Sequence, residues 1–228
     1  KKGTAGRFAP GLPAKGDGQL LFMLNGLAKL KDDGQMAIIQ NGSSLFNGDA
    51  GSGPSEIRRY LIENDWLDAI VQLPNNAFYN TSIATYIWIV VKNKPATHQG
   101  KVQLIDASAC CSARRKNIGS KNVDITKACR DLIIEAYGAY ADDTYNGVDE
   151  NDNAIVVKSK VMDSIELGYN KIVVETPQLD DNGNVVTKNG KPVADATKRD
   201  TENVPLAEDI DAYFEREVIP YNPQAWID

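Results

Sequence analysis

The chain has 228 residues, 42% apolar and 25% charged, with a formal net charge of −6, which suits one globular domain or one domain with a large appendage. The acidic balance excludes a chain that holds DNA strongly through its own charge, because phosphate neutralisation supplies most non-specific affinity. The longest apolar run, near Tyr86–Val91, is strand-sized and excludes a membrane span; with no basic-then-apolar leader, a cytoplasmic setting is expected.

Taken in order, the first 18 residues are rich in Gly and Pro and read as a loop; opening on Lys1, the chain is expected to continue a longer protein. Leu20, Met23, Leu24, Leu27 and Leu30 recur at spacings of three and four, which predicts a helix over 19–30 that stops at Asp32-Asp33-Gly34. The run 35–40 is short, apolar and bounded by turn residues, as a buried parallel strand is. A glycine-rich connector follows, and Pro54 suits the first turn of a helix whose apolar stripe is Ile57, Tyr60 and Leu61, with Arg58, Arg59 and Glu63 turned outward.

Strands are predicted at 66–73 and 83–91. The loop between them is too short for a helical crossover, so the two should pair antiparallel. A further strand is expected at 101–107, a basic stretch at 108–123, and a helix at 125–140. Beyond it lie an acidic Asn/Gly-rich loop at 142–153, a weakly alternating stretch at 154–161, a strand at 167–175, a hairpin excursion around 185–188 and a helix at 205–218. No terminal structure is expected at Trp226-Ile227-Asp228. The fold class is α/β, with a smaller α+β part towards the C-terminus.

No complete catalytic constellation can be assembled from these residues. His98 reads as a solvated turn histidine, and a single histidine without clustered carboxylates makes neither a zinc site nor a nucleophile's base. Cys110, Cys111 and Cys129 have no metal-ligand spacing and read as buried or free thiols in a reducing compartment. The run 48–53 matches neither a P-loop nor a dinucleotide fingerprint and reads as a connector, with a DNA phosphate as its alternative ligand. The loop Leu73–Thr81 differs: Phe78 and Tyr79 stand beside Asn76, Asn80 and Thr81 at a strand end. A base taken out of the duplex needs aromatic faces to stack on and polar groups along its edge. Phe78 as a core plug with Tyr79 as its cap is the competing reading.

The runs GDGQLLFMLNGLAKLK, IIQNGSSLFNGDAGSGPSEIRRYLIENDWLDAIVQLPNNAFYNTSIATYIWIVVKNK, GKVQLIDAS and RDTENVPLAEDIDAYFEREVIPYNPQAWID resemble the modification subunits of type I restriction–modification systems, the N6-adenine DNA methylase family. The resemblance implies a partial class I, Rossmann-like S-adenosylmethionine-dependent methyltransferase sheet, mixed through an antiparallel terminal strand. It implies a catalytic-domain half over 1–107 and a C-terminal extension over 108–228. The family's methyl-donor loop and Asn-Pro-Pro-Phe/Tyr motif would lie upstream of this chain, so no catalytic residue and no metal ligand is assigned within it, and the isolated chain is expected to be inactive. The target-base pocket is carried over to Phe78, Tyr79, Asn80 and Thr81, and Arg114, Arg115 and Lys116 become candidate contacts to DNA or another subunit. Implied partners are DNA, a specificity subunit that chooses the site, and a restriction subunit. The alternative is a non-catalytic docking module for the specificity subunit and DNA.

Overall fold

Residues 6–228 are described by a computed structural model. Two compact units are present, one running to Ser164 and one spanning Ile165–Asp228. The loop expected over 1–18 lies outside the described residues at 1–5; its remainder carries a short 3-10 turn at Gly6–Phe8.

The first unit is built on a six-stranded sheet. Its elements are α1 (Gln19–Leu27), β1 (Gln35–Asn41), the single turn α2 (Ser43–Phe46), α3 (Gly53–Glu63), β2 (Leu67–Gln72), β3 (Thr85–Val91), β4 (Lys101–Asp106), β5 (Ser112–Ile118), β6 (Lys121–Asp124), α4 (Lys127–Ala139), β7 (Asp143–Val148) and β8 (Ala154–Asp163). The sheet order is β1-β3-β2-β4-β8-β7. β3 runs antiparallel to both β1 and β2, so β1 and β2 are parallel with a reversed strand inserted between them. The antiparallel pairing predicted from the short 73–84 connection is present, and β2 pairs parallel with β4.

Register assigns the faces. Met36, Ile38 and Gln40 oppose Val90, Trp88 and Tyr86; Met36 touches Gly26 of α1 and Gln40 donates to the Gln19 carbonyl at 2.9 Å, so this face carries α1. Ile87 and Ile89 point the other way and pack with Val71, Leu73, Ile105, Cys129, Leu132 and Ala136 beneath α4. Helices on both faces make an α/β/α sandwich, the arrangement that buries a strand on both sides. β2 shows the result, with Leu67, Asp68, Ala69 and Val71 all buried.

α4 is tied down by polar groups as well as apolar ones. Gln103, fully buried on β4, donates to the Ala136 carbonyl at 2.7 Å and to Ser159 Oγ at 2.8 Å. An unpaired buried amide would cost stability, so these bonds fix helix against strand.

Several expectations are corrected. The stretch 142–163 is a hairpin of the main sheet rather than a loop and a weak strand, because β7 and β8 pair along Asp143–Val148 and Ala154–Ser159. The six-stranded sheet therefore continues past Ala107, and the seam between the compact units falls at Ser164/Ile165. Arg58 does not face outward; it donates to the carbonyls of Ser44, Asn47 and Gly48 and closes the glycine-rich connector.

In the second unit, β9 (Tyr169–Glu175) lies between β12 (Asp200–Pro205) and β13 (Trp226–Ile227), both antiparallel to it. The chain end expected to be unstructured is thus a paired strand. α5 (Ile210–Glu217) packs Phe214 and Val218 onto Ile172, Val174 and Val204. The hairpin β10 (Thr187–Lys188) and β11 (Lys191–Pro192) appears where its turn residues predict it, with Asn189 and Gly190 both at positive φ.

Candidate functional site

The parallel strands β1 and β2 end on the same edge of the sheet, and β3 begins there. In open α/β sheets ligands bind at the carboxyl ends of parallel strands. Two groups of side chains gather at this edge.

The first follows β1. Gln19 Nε2 donates to Asn41 Oδ1 at 2.9 Å and Ser43 Oγ at 3.0 Å, while Gln19 Oε1 accepts from the Asn41 N–H at 2.8 Å. This network holds the strand end rigid. Gly42 comes next; a Cβ there would stand 3.3 Å from the Tyr86 ring, so glycine lets that ring close on the backbone.

The second is the loop after β2. Leu73 and Ala77 are buried and anchor it, and the Leu73 N–H donates to the Thr85 carbonyl at 2.9 Å. Asn76 and Asn80 both take positive φ (57° and 53°), a conformation Asn tolerates better than most residues. Phe78 and Thr81 form an isolated bridge. Phe78 is half-buried against the α4-side core, whereas Tyr79 is 64% exposed. The two aromatics thus do different jobs, which composition alone leaves open.

The basic stretch forms the hairpin β5–β6, which docks on this loop. The Asn122 N–H donates to the Asn76 carbonyl at 3.2 Å. At the hairpin turn Gly119 (φ 58°) lies so close that a Cβ would meet Asn80 Oδ1 at 2.5 Å and the Tyr79 ring at 3.0 Å. Of the three predicted contact residues, Arg114 is engaged inside the hairpin, paired with Asp124 and donating to the Lys116 carbonyl at 3.2 Å; Arg114 holds the Asp124 carboxyl below its usual range. Arg115 and Lys116 are exposed. Phe78, Tyr79, Asn80, Thr81 and the hairpin therefore share one surface.

His98 is not a solvated turn residue. Its Nδ1 lies 3.0 Å from the buried Asp68 carboxylate, and its ring stacks on Tyr140 at 3.4 Å and 8°. Tyr137 donates to the second Asp68 oxygen at 2.6 Å, and burial followed by that bond pushes the Tyr137 phenol up. Asp68 opens β2, so this cluster sits at the opposite end from the base loop and clamps the α4 C-terminus to the sheet. It was invisible in sequence because its members stand 30 and 69 residues apart. A cavity lined by Arg7, Leu24, Leu27, Tyr60, Trp66 and Lys92 also lies away from the loop. Cys110 and Cys129 are buried, and burial pushes the Cys110 thiol up to about 12, which suits inert core thiols. Among the described residues no group of His, Cys, Asp and Glu is arranged to hold a metal, and no helix is long and apolar enough to cross a membrane.

A mixed α/β/α sheet with a reversed strand between two parallel ones, and a polar, aromatic edge at their carboxyl ends, defines a Rossmann-like methyltransferase fold. The family profile described as N-6 DNA Methylase matches residues 2–175, and the chain belongs to that family. The type I restriction enzyme MjaIX methylase subunit of Methanocaldococcus jannaschii is 31% identical over 109 residues, covering 47% of this chain and 19% of the relative. The MpnII methylase subunit of Mycoplasma pneumoniae is 34% identical over 128 residues, covering 55% and 22%. The crystal structure of a type I restriction–modification methyltransferase subunit from Streptococcus thermophilus superposes with a TM-score of 0.57 at 28% identity, over 72% of this chain and 31% of that one. The chain spans about a fifth of the length of these curated relatives.

Proposed function

We propose that this chain is the acceptor-side part of an adenine-N6 DNA methyltransferase of a type I restriction–modification system. In the whole protein a methyl group passes from S-adenosylmethionine to the exocyclic amine of an adenine, at a DNA site selected by a separate specificity subunit and guarded by a restriction subunit. Residues 1–107 belong to the catalytic domain and 108–228 form the extension, whose β7–β8 hairpin continues the catalytic domain's sheet. The observation that carries this reading is the juxtaposition, at one sheet edge, of an exposed tyrosine, polar loop groups and a basic hairpin, in a member of the N-6 DNA methylase family.

The glycine-rich run before α3 does not offer a methyl-donor cradle, in keeping with a donor site lying mostly upstream of this chain. The run is filled by the chain itself, since a Cβ on Gly53 would stand 2.0 Å from the Leu12 carbonyl oxygen. No step is therefore assigned to donor binding here. The residues of this chain act on the base. Tyr79 stacks on the flipped adenine, and Asn80 and Thr81 supply polar groups along its edge, which excludes water and fixes the amine for attack. Phe78 holds the loop to the core. Positioning of this kind accelerates methyl transfer, and the amine gives up one proton once its new N–C bond has formed.

Incubating the full-length protein and its partner subunits with radiolabelled donor and duplex DNA tests the reading. N6-methyladenine should accumulate with the full-length protein and be absent with residues 1–228 alone. Label on cytosine, or label transferred by the isolated chain, would refute it.

A further inference from the structure

We infer that the β5–β6 hairpin is a duplex-opening wedge, with Ile118 at its tip entering the base stack beside the target adenine and Arg115 and Lys116 holding the flanking phosphates. This rests on the proposed methyltransferase reading and gives its base loop a second, mechanical half.

Four observations converge. The hairpin bulges at residues 114–117 and ends in a two-residue turn, Gly119-Ser120, closed by the Ile118–Lys121 pair. Ile118 is 48% exposed, an apolar side chain presented to solvent immediately before the turn. Arg115 and Lys116 are exposed and form no ion pair among the described residues, while Arg114 and Lys121 share the single carboxylate of Asp124. In a chain of net charge −6, two exposed cations two and three residues before one exposed isoleucine suit a phosphate-lined ligand. Lastly, the tip is fixed to the loop it would serve, through the Gly119 backbone against Tyr79 and Asn80 and the Asn122–Asn76 bond.

Proteins that kink or open DNA insert apolar side chains between base steps and pay for unstacking with backbone contacts. Here the wedge tip lies directly against the stacking tyrosine. Insertion of Ile118 into the stack would leave the expelled base next to the exposed Tyr79 ring.

The test uses the assembled full-length protein with two duplexes, one with the target adenine paired to thymine and one with it opposite an abasic site. Ile118→Ala should slow methylation of the paired duplex about tenfold and leave the abasic duplex near the wild-type rate, because the opening cost has already been met. Arg115→Gln with Lys116→Gln should reduce the slope of log affinity against log salt by about two. Equal slowing of both duplexes, or no slowing of either with an unchanged salt slope, overturns the wedge while leaving the methyltransferase reading intact. Loss of subunit association in Ile118→Ala, seen by gel filtration, also overturns it and makes the tip a protein interface. A wild-type complex that methylates neither duplex removes the underlying reading, and the wedge with it.

Discussion

Phe78 and Tyr79 are neighbours with opposite environments. Half-buried against the α4-side core, Phe78 should lose about 2 kcal/mol on truncation to Ala, below the range for a fully buried phenylalanine. Tyr79, exposed, should change stability by less than about 0.5 kcal/mol when truncated. Urea unfolding of the two variants separates these values, and reversed values would contradict the assignment. The aromatic pair was legible in the sequence, but its division of labour was not, because burial depends on how the loop folds back through Ala77 and the Phe78–Thr81 bridge. His98 was misjudged for the same reason. A turn histidine looks solvated until a distant carboxylate and a distant tyrosine meet it. Asp68→Ala leaves Tyr137 and His98 without their shared acceptor and should cost about 3 kcal/mol; a variant as stable as wild type would mean that the clamp carries no load.

The β5–β6 hairpin is the element the sequence concealed most fully. Ser112–Ile118 lacks the apolar alternation that marks a half-buried strand, since it is held by loop and turn contacts rather than by a sheet face. Its base is anchored by Asp149, which accepts from Ser112 Oγ at 2.7 Å, from the N–H groups of Asn151 and Asn153 at 2.8 and 2.9 Å, and from Asn153 Nδ2. The Ser112 bond, followed by those of Asn153, holds the Asp149 carboxyl well below the usual carboxylate range. A depressed value means that the unfolded chain binds the proton more tightly. The contribution is therefore fully present above about pH 4 and is lost as pH falls from there through the folded-state value. Asp149→Asn should flatten the acid limb of the stability profile below about pH 4, read by thermal unfolding across pH. An unaltered acid limb would show that this carboxylate gains nothing from the fold. β7 and β8 were hidden differently: the polar, turn-rich composition of β7 reads as loop and β8 alternates only weakly, yet pairing with β4 draws β8, and β7 with it, into the sheet.

At the scale of the whole molecule, the fold class and the order of strand, helix and hairpin between Gly34 and Lys94 could be read from periodicity and connection length, because β2 is buried on both faces and β3 follows it after one short loop; β1, expected as a buried parallel strand, is instead a half-exposed strand paired antiparallel with β3. What periodicity could not supply is which end of the sheet gathers the aromatic loop and the basic hairpin. Among the described residues, Arg115 and Lys116 beside the aromatic loop are exposed and form no ion pair, while Arg114 and Lys121 of the same hairpin pair with Asp124. At the far edge of the sheet, β1 pairs on one side only, and Ile39 on its second face is 50% exposed, with Phe22 and Phe46 exposed nearby in the sequence. An unpaired strand with apolar side chains invites association. The isolated chain should therefore self-associate with rising concentration, and Ile39→Lys should reduce this in sedimentation velocity.

The central claim is that this chain supplies the surface that receives the target adenine. Its most direct test is the single-turnover methylation rate of the full-length complex carrying Tyr79→Ala. Loss of one base–aromatic stack should slow the rate about ten- to a hundredfold with stability unchanged, whereas a wild-type rate on duplex DNA would contradict the claim.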